Sequence, residues 1–275
     1  METRTLKSKI GIYMLLSVLA VLVVIPFGWM LLASVKTSNE VFSIPMKLFP
    51  KEFQWVNYQT IWDKIPLLVF FKNTFKIAVC TTLLQVLTSC FAAYGFSKVE
   101  FKGRDFLFLV SVTTFAVPWQ AYMVPQFALI SRMGLTDSHL GLILMQAFSG
   151  FGVFLIRQFM IGVPNELLEA ARIDGLSEYG IFAKIALPLV KPGIATLVIF
   201  TFVNIWNDFM GPLIYLNEEK KYSLSLGLQL FQGSYGAQWH LLMAASVLVL
   251  TPAVIVFFFG QKHILEGIAT TGIKG

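Results

Sequence analysis

The sequence predicts an all-α polytopic membrane protein, and three observations carry that reading. Of 275 residues, 56% are hydrophobic and only 13% charged, against roughly 25% charged in a water-soluble domain, so there is too little polar surface to coat a globule. Mean hydropathy is +0.73, and the apolar residues gather in runs of the length that a ~30 Å hydrocarbon core demands of a helix rising 1.5 Å per residue, about 20 residues. Between the runs, no stretch exceeds about 38 residues. A soluble catalytic or motor domain therefore has no place in the 275 residues, which are read as a single transmembrane domain.

Six spans are expected, at about 10–34, 70–97, 106–131, 138–161, 187–215 and 241–262. Lipid offers a backbone no hydrogen-bond partner, so each is expected to be helical. The first follows a basic stretch (Arg4, Lys7, Lys9) and lacks a small-residue cleavage site, which reads as a retained span and not a leader. Twelve of the 21 Lys and Arg residues fall on the N-terminal side of the membrane, including Lys98, Lys102, Arg104, Arg157, Arg172, Lys184 and Lys274. By the positive-inside rule both termini are cytoplasmic, N-in and C-in. The loop 35–72 carries Pro45, Pro50 and Pro66 with Trp55, Tyr58 and Trp62. Aromatic residues so spaced suit a short amphipathic helix at the outer interface, for anchoring or for binding.

The net charge of +6 does not point to nucleic acid, because the basic residues are scattered and follow the loops. Cys80 and Cys90 share one apolar span and read as small buried thiols. His139, His240 and His263 have no metal-ligand spacing. No GxxxxGK[ST] phosphate loop occurs, so the chain is not expected to bind ATP, and no nucleophile–base set is visible.

The polar stretch 164–187 stands out between apolar runs, with Glu166, Glu169, Arg172, Asp174, Glu178 and Lys184. Asn165 is placed to cap a helix whose first turn holds the acid Glu166. Gly175 falls where helices end in a left-handed turn. Ser177 can cap a second helix running to about Ala186, and Pro188 is expected to open the next span. Leu167, Leu168, Ala170, Ala171 and Ile173 offer apolar contact, and Glu169 and Arg172 offer charge. Two readings fit: a knob that docks into a partner's socket, or an amphipathic connector on the membrane surface.

Here the chain resembles a known family. Glu169-Ala170-Ala171, then Gly175 after three residues, then Ile185 and Leu187-Pro188, is similar to the EAA loop of binding-protein-dependent ABC importer permeases. The segments 92–105, 124–144, 205–216 and 257–275 resemble the carbohydrate branch of that family, specifically its maltose-type second permease. The resemblance covers nearly the whole chain and departs from the family pattern only at Ala269-Thr270-Thr271-Gly272 in the tail. It implies a type I ABC importer permease fold in the cell membrane. It also implies an assembly with a second permease, two ATPase subunits and an extracytoplasmic sugar-binding protein, with ATP and Mg bound by the ATPase. In that family the loop is the coupling helix. The residues it assigns to ATPase coupling are Glu169, Ala170, Ala171, Arg172, Asp174, Gly175, Ile185, Leu187 and Pro188. The implied function is one half of the translocation pathway of an ATP-driven sugar importer. The alternatives are a permease of the same family for another solute and an ATP-independent secondary transporter.

Polar groups within spans are costly and mark candidate transport paths. In the fifth span, Asn204, Asn207, Asp208 and Gly211 would share one face of a continuous helix, extended by Thr196. That face can meet sugar hydroxyls or can pack against a neighbouring helix. In the third span, Pro118 and Pro125 each remove a helical hydrogen bond, with Gln120, Tyr122 and Gln126 around them. This fits a gate or static bent packing. Gln85 and Gln146 are single mid-span amides, read as structural.

Overall fold

The computed structural model describes residues 6–233 and 238–272, and every regular element among them is a helix. Arg4, Lys274, and the side chains of Lys7, His263 and the tail residues 269–272, all cited above, lie outside what is described. The chain forms two compact units, one from Met1–Leu67 and Gly227–Thr251, the other from Leu68–Leu226 and Pro252–Gly275.

In the first unit, α1 (Leu6–Ser34) contains the apolar span Lys9–Ser34, and none of its most apolar window is buried within the chain. Of its C-terminal carbonyls, which a helix cannot satisfy internally, that of Leu31 accepts from Ser34 Oγ, those of Leu32 and Ala33 accept from Val35 N and Lys36 N, and the last is met by the Asn57 side chain. Asn57 Nδ2 donates to the carbonyls of Ser34 and Lys36, both at 2.9 Å. Two short helices follow, α2 (Ser38–Val41) and α3 (Asn57–Lys64). The latter is the helix expected near Trp55 and Trp62, which stay exposed. Tyr58 has another task, its hydroxyl lying 2.7 Å from Ser34 Oγ and tying α3 to the end of α1. Lys36 is fully buried, with Nζ donating to the Lys47 carbonyl and lying 4.3 Å from the Trp29 ring centre. This cation–π placement accompanies a hydrogen bond that together offset burial of the charge.

The second unit is built on α4 (Leu67–Lys98), an unbroken 32-residue helix. Around it lie α5 (Arg104–Ala116), α6 (Met123–Arg132), α7 (His139–Met145), α8 (Gly150–Ile161), α9 (Asn165–Ile173), α10 (Glu178–Leu189), α11 (Lys191–Trp206) and α12 (Met210–Tyr215). The short α13 (Leu224–Gly227) follows at its end, whereas α14 (Leu230–Gly233) belongs to the first unit and α15 (Trp239–Gly272), which includes the apolar span Trp239–Lys262, has its residues to Thr251 in the first unit and the rest in the second.

Three of the six predicted spans are not single helices. The run 106–131 is cut at Val117, which is extended (ψ 117°) because the following Pro118 disfavours helix at the residue before it. Pro125 bends nothing, since it sits in the first turn of α6, where a missing N–H is harmless. The run 138–161 is two helices, α7 and α8, at 49°. Ser149 starts the second by accepting from Gly152 N at 3.1 Å. The run 187–215 begins later than expected. Leu187–Leu189 belongs to α10, and the chain bends 78° at Val190 before α11. Pro192, not Pro188, stands at the start of the long helix. This helix ends at Trp206 because local side chains compete for the backbone. Asn207 Nδ2 donates to the Val203 carbonyl at 2.9 Å, and Asp208 Oδ1 accepts from Gly211 N at 3.1 Å.

A clasp closes one end of this unit. Asp137, in the left-handed region at φ +51°, which Asp tolerates better than most residues, accepts from Asn217 N at 2.8 Å, Glu218 N at 3.1 Å and Lys221 Nζ at 2.6 Å. Asn73 of α4 donates to the carbonyls of Lys220 and Tyr222, and Thr74 accepts from Leu224 N. The Lys221 ammonium, helped by the two backbone N–H groups, holds the Asp137 carboxyl well below the usual carboxylate range. A depressed carboxylate contributes stability that is present above its unfolded value, ~3.9, and is lost only as pH falls through the lower folded value. The clasp is therefore expected to be unchanged down to about pH 5. Hydrogen exchange of segment 216–222, corrected for its intrinsic pH dependence, checks this. Asp137→Ala should speed exchange there by about tenfold, equivalent to ~1.4 kcal/mol for lost charge-assisted bonds.

Candidate functional site

Two features of the second unit bear on function, and the first is the 164–187 loop. Helix α9 ends in a paired-bond turn: Leu176 N donates to the Ala171 carbonyl and Gly175 N to the Arg172 carbonyl, both at 3.0 Å. This Schellman geometry requires a left-handed residue at its corner, and Gly175 supplies it at φ +85°. Ser177 caps α10, accepting from Gly180 N at 3.3 Å. The start of α9 is fixed differently from the expectation. Asn165 does not cap; Pro164 holds that position, and Asn165 Oδ1 instead accepts from Lys98 Nζ at 2.9 Å. The same ammonium donates to the Val163 carbonyl at 2.6 Å.

The two faces of α9 have separate duties. Leu168 and Ala171 are buried in a core shared with Cys90, Ala93, Tyr94, Ile156, Met160, Ile181, Phe182 and Ala186. Leu176, Ile185 and Leu187 pack against that core. Ala171, Ile185 and Leu187, which the resemblance assigns to ATPase coupling, thus pack into or against the chain's own core. Glu169, Ala170, Asp174 and Pro188 are exposed, as are Leu167 and, at 87% and 80%, Ile173 and Tyr179. Arg172 lies between, its guanidinium bonded to both oxygens of Glu178 at 2.6 and 3.3 Å. Tyr94 also donates to Glu178, at 2.9 Å. Hydrogen bonds from Arg172 and then Tyr94 hold the Glu178 carboxyl below its ordinary range. Because the Arg172–Glu178 pair is largely exposed, such a pair adds only ~0–1 kcal/mol to stability, and its effect is to fix the shape of the turn.

The second feature is a pair of adjoining clefts near the breaks in the long helices. One, of about 270 Å³, is lined by Trp119, Met145, Gln146, Asn204, Ile205, Asp208 and Gly211. The other, of about 640 Å³, shares Trp119 and Met145 and includes Pro118, Tyr122, Gln126, Phe148 and Ser149. Asn204, Asp208 and Gly211 therefore line one cleft together, but not along the single helical face expected above, because the helix stops at Trp206. Asn207 is turned back onto its own helix. Tyr122 lines the larger cleft and Gln120 neither. Trp119 was not singled out in the sequence, yet it stands at both clefts with its indole N–H donating to Gln126 Oε1 at 2.8 Å. Gln146 is more than a packing residue, for its Nε2 donates to Asp208 Oδ2 at 3.0 Å. A mid-span amide was the available signal; its partner, 62 residues away, was not readable. Among the described residues no cluster of His, Cys, Asp and Glu could hold a metal ion.

A helical membrane unit with a glycine-cornered loop and polar clefts at its helix breaks has the form of a transport permease. Residues 85–269 match the family described as the binding-protein-dependent transport system inner membrane component, and this chain belongs to that family. It is 33% identical over 272 residues to the arabinooligosaccharides transport system permease protein AraQ of Bacillus subtilis (strain 168), covering 97% of this chain and 96% of the relative. It is 30% identical to the lactose transport system permease protein LacG of Rhizobium radiobacter, covering 93% of each. The fold matches a chain in the crystal structure of a bacterial ABC transporter that imports the acidic polysaccharide alginate, with TM-score 0.83 at 22% identity, over 95% of this chain and 99% of that one.

Proposed function

We propose that this chain is one permease subunit of an ATP-driven importer of sugars, oligosaccharides foremost, in the cell membrane. It acts as a single permease domain of six spans, three of them broken, with both termini cytoplasmic. The observation that carries the proposal is the α9–Gly175–α10 loop. Its inner face is sealed to the rest of the unit, and its outer face presents Leu167, Glu169, Ala170, Ile173 and Asp174 in a chain with no phosphate-binding loop of its own. A rigid, shaped tip on a chain without a motor suits an ATPase subunit that binds ATP and Mg elsewhere. Sugar as the cargo is supported by the relatives named above and by the clefts, where an indole face and the amides and carboxylate of Asn204, Gln146 and Asp208 offer the mixed surface that sugars need. A second permease and an extracytoplasmic sugar-binding protein complete the assembly. Each ATPase state must favour a different state of this chain, or hydrolysis would shift nothing.

The test is the ATPase rate of the affinity-purified complex, with its binding protein, across a panel of mono- and oligosaccharides. Stimulation by one sugar class is expected. An ATPase that co-purifies but responds to no sugar would remove the cargo assignment. Absence of any ATPase under mild detergent would remove the coupling assignment as well.

A further inference from the structure

The break between α7 and α8 leaves carbonyls that no helix satisfies, and three of them in a row are met by side chains from elsewhere. Gln126 Nε2 donates to the Met145 carbonyl at 3.3 Å, Gln85 Nε2 to the Gln146 carbonyl at 2.8 Å, and Thr88 Oγ1 to the Ala147 carbonyl at 2.8 Å. Gln85 is itself oriented, its Oε1 accepting from Thr201 Oγ1 of α11 at 2.9 Å. Within a membrane each such carbonyl left bare is expensive, so the break is a held conformation and not a frayed one. It also sets the small cleft, since the Gln146 side chain leaving this segment is the one that bonds Asp208.

Two of the three donors, Gln85 and Thr88, lie on α4. The same helix, nine and ten residues further on, carries Tyr94 and Lys98; Lys98 is bonded to Val163 and Asn165 at the start of α9, and Tyr94 to Glu178 just past the turn that ends it. Thirteen residues of α-helix separate Gln85 from Lys98, about 20 Å at 1.5 Å per residue, with neither proline nor helix break between them. An α-helix of that length resists compression and bending far more than the loops around it.

We propose that α4 is the strut that carries displacement of the α9 loop to the polar break at Gln146–Ala147. Tyr94 and Lys98 form its lower fastening, and Gln85 and Thr88 are the positioning residues of its upper one. Movement of the loop then shifts the Gln146–Asp208 pair through the two side-chain bonds from Gln85 and Thr88, without either residue touching cargo. The proposal rests on the loop being the ATPase contact, but not on the cargo being a sugar.

The test needs no cargo. Hydrogen exchange is followed in the whole complex, nucleotide-free and trapped with ATP and vanadate, for wild type, Gln85→Leu and Thr88→Val. Leucine and valine match the volumes closely and are at home in the membrane. In wild type, trapping should change exchange at least threefold both in 174–181 and in 145–153. In either variant the change at 174–181 should persist, which also proves assembly, while the change at 145–153 should vanish. A variant that keeps the wild-type response at 145–153 overturns the proposal, as does a wild type whose 145–153 segment ignores trapping. Should Gln85→Leu fail to assemble, the near-isosteric Thr88→Val decides the matter alone. Because the readout omits sugar, a failed sugar panel and a failed strut are distinguishable.

Discussion

Replacing Gly175 with valine should lower uptake about tenfold or more while the chain stays at its normal level in the membrane. A left-handed conformation costs an L-residue roughly 1–2 kcal/mol, and a β-branched one more. Nothing lies within 4 Å of a Cβ built on Gly175, so the effect comes from the backbone and not from a clash. The cheapest relief is for the corner at φ +85° to swing out of the left-handed region. That breaks the bonds from Leu176 and Gly175 to Ala171 and Arg172, and it re-aims α9 relative to α10. Asparagine tolerates this region, so Gly175→Asn should keep most of the uptake. Uptake and ATPase rate measured together distinguish uncoupling, in which hydrolysis continues, from loss of assembly. Normal uptake by a well-expressed valine variant would sink the coupling role of this turn.

Asp208→Ala should have the second large effect. It leaves Gly211 N and Gln146 Nε2 without an acceptor in a half-buried site, at about 1–3 kcal/mol for each unsatisfied group. Loss of both bonds frees the start of α12 and one wall of the small cleft together. Uptake is expected to fall about tenfold, which corresponds to ~1.4 kcal/mol, with membrane level reduced less. Asp208→Asn separates shape from charge. Its Oδ1 can accept from Gly211 N, and a flipped Gln146 can present Oε1 to its Nδ2, so both bonds survive without the negative charge. If Asn restores uptake, the group serves by shape and hydrogen bonding. If Asn is as poor as Ala, the charge itself is required. Wild-type uptake by Asp208→Ala would remove the residue from the path altogether.

Much of the loop was legible in the sequence because its logic is local. A glycine four residues past Ala171, a serine before Glu178 and an amphipathic stretch ahead of them specify helix, turn and helix without any distant contact. The membrane class was legible from composition for the same reason. The broken spans were not. Hydropathy averages over about 20 residues and does not register an interruption of one to six residues, so 106–131, 138–161 and 187–215 read as continuous. Pro118 announced one break, but Pro125 carried the same apparent weight and has no effect, because position within a helix turn decides what a proline does. Asn207 and Asp208 end α11 through bonds to Val203 and Gly211 that a helical-face count assumes away. Gln85, Thr88, Gln126, Tyr94 and Lys98 act on partners about 20 to 84 residues away, and no spacing rule connects such pairs.

Ile173 at 87% and Tyr179 at 80% exposure have a consequence for the life of the chain before assembly. Apolar residues on the spans can be covered by lipid; these two sit on the polar 164–187 loop outside the apolar runs. On the coupling role and orientation proposed above, the subunit without its ATPase would display a greasy fingertip to the cytosol, the kind of surface that chaperones and proteases recognise as unfinished. Made alone, the chain should be short-lived. Its abundance would then be set by the supply of the proposed partner, and matched stoichiometry would follow from turnover without any dedicated regulator.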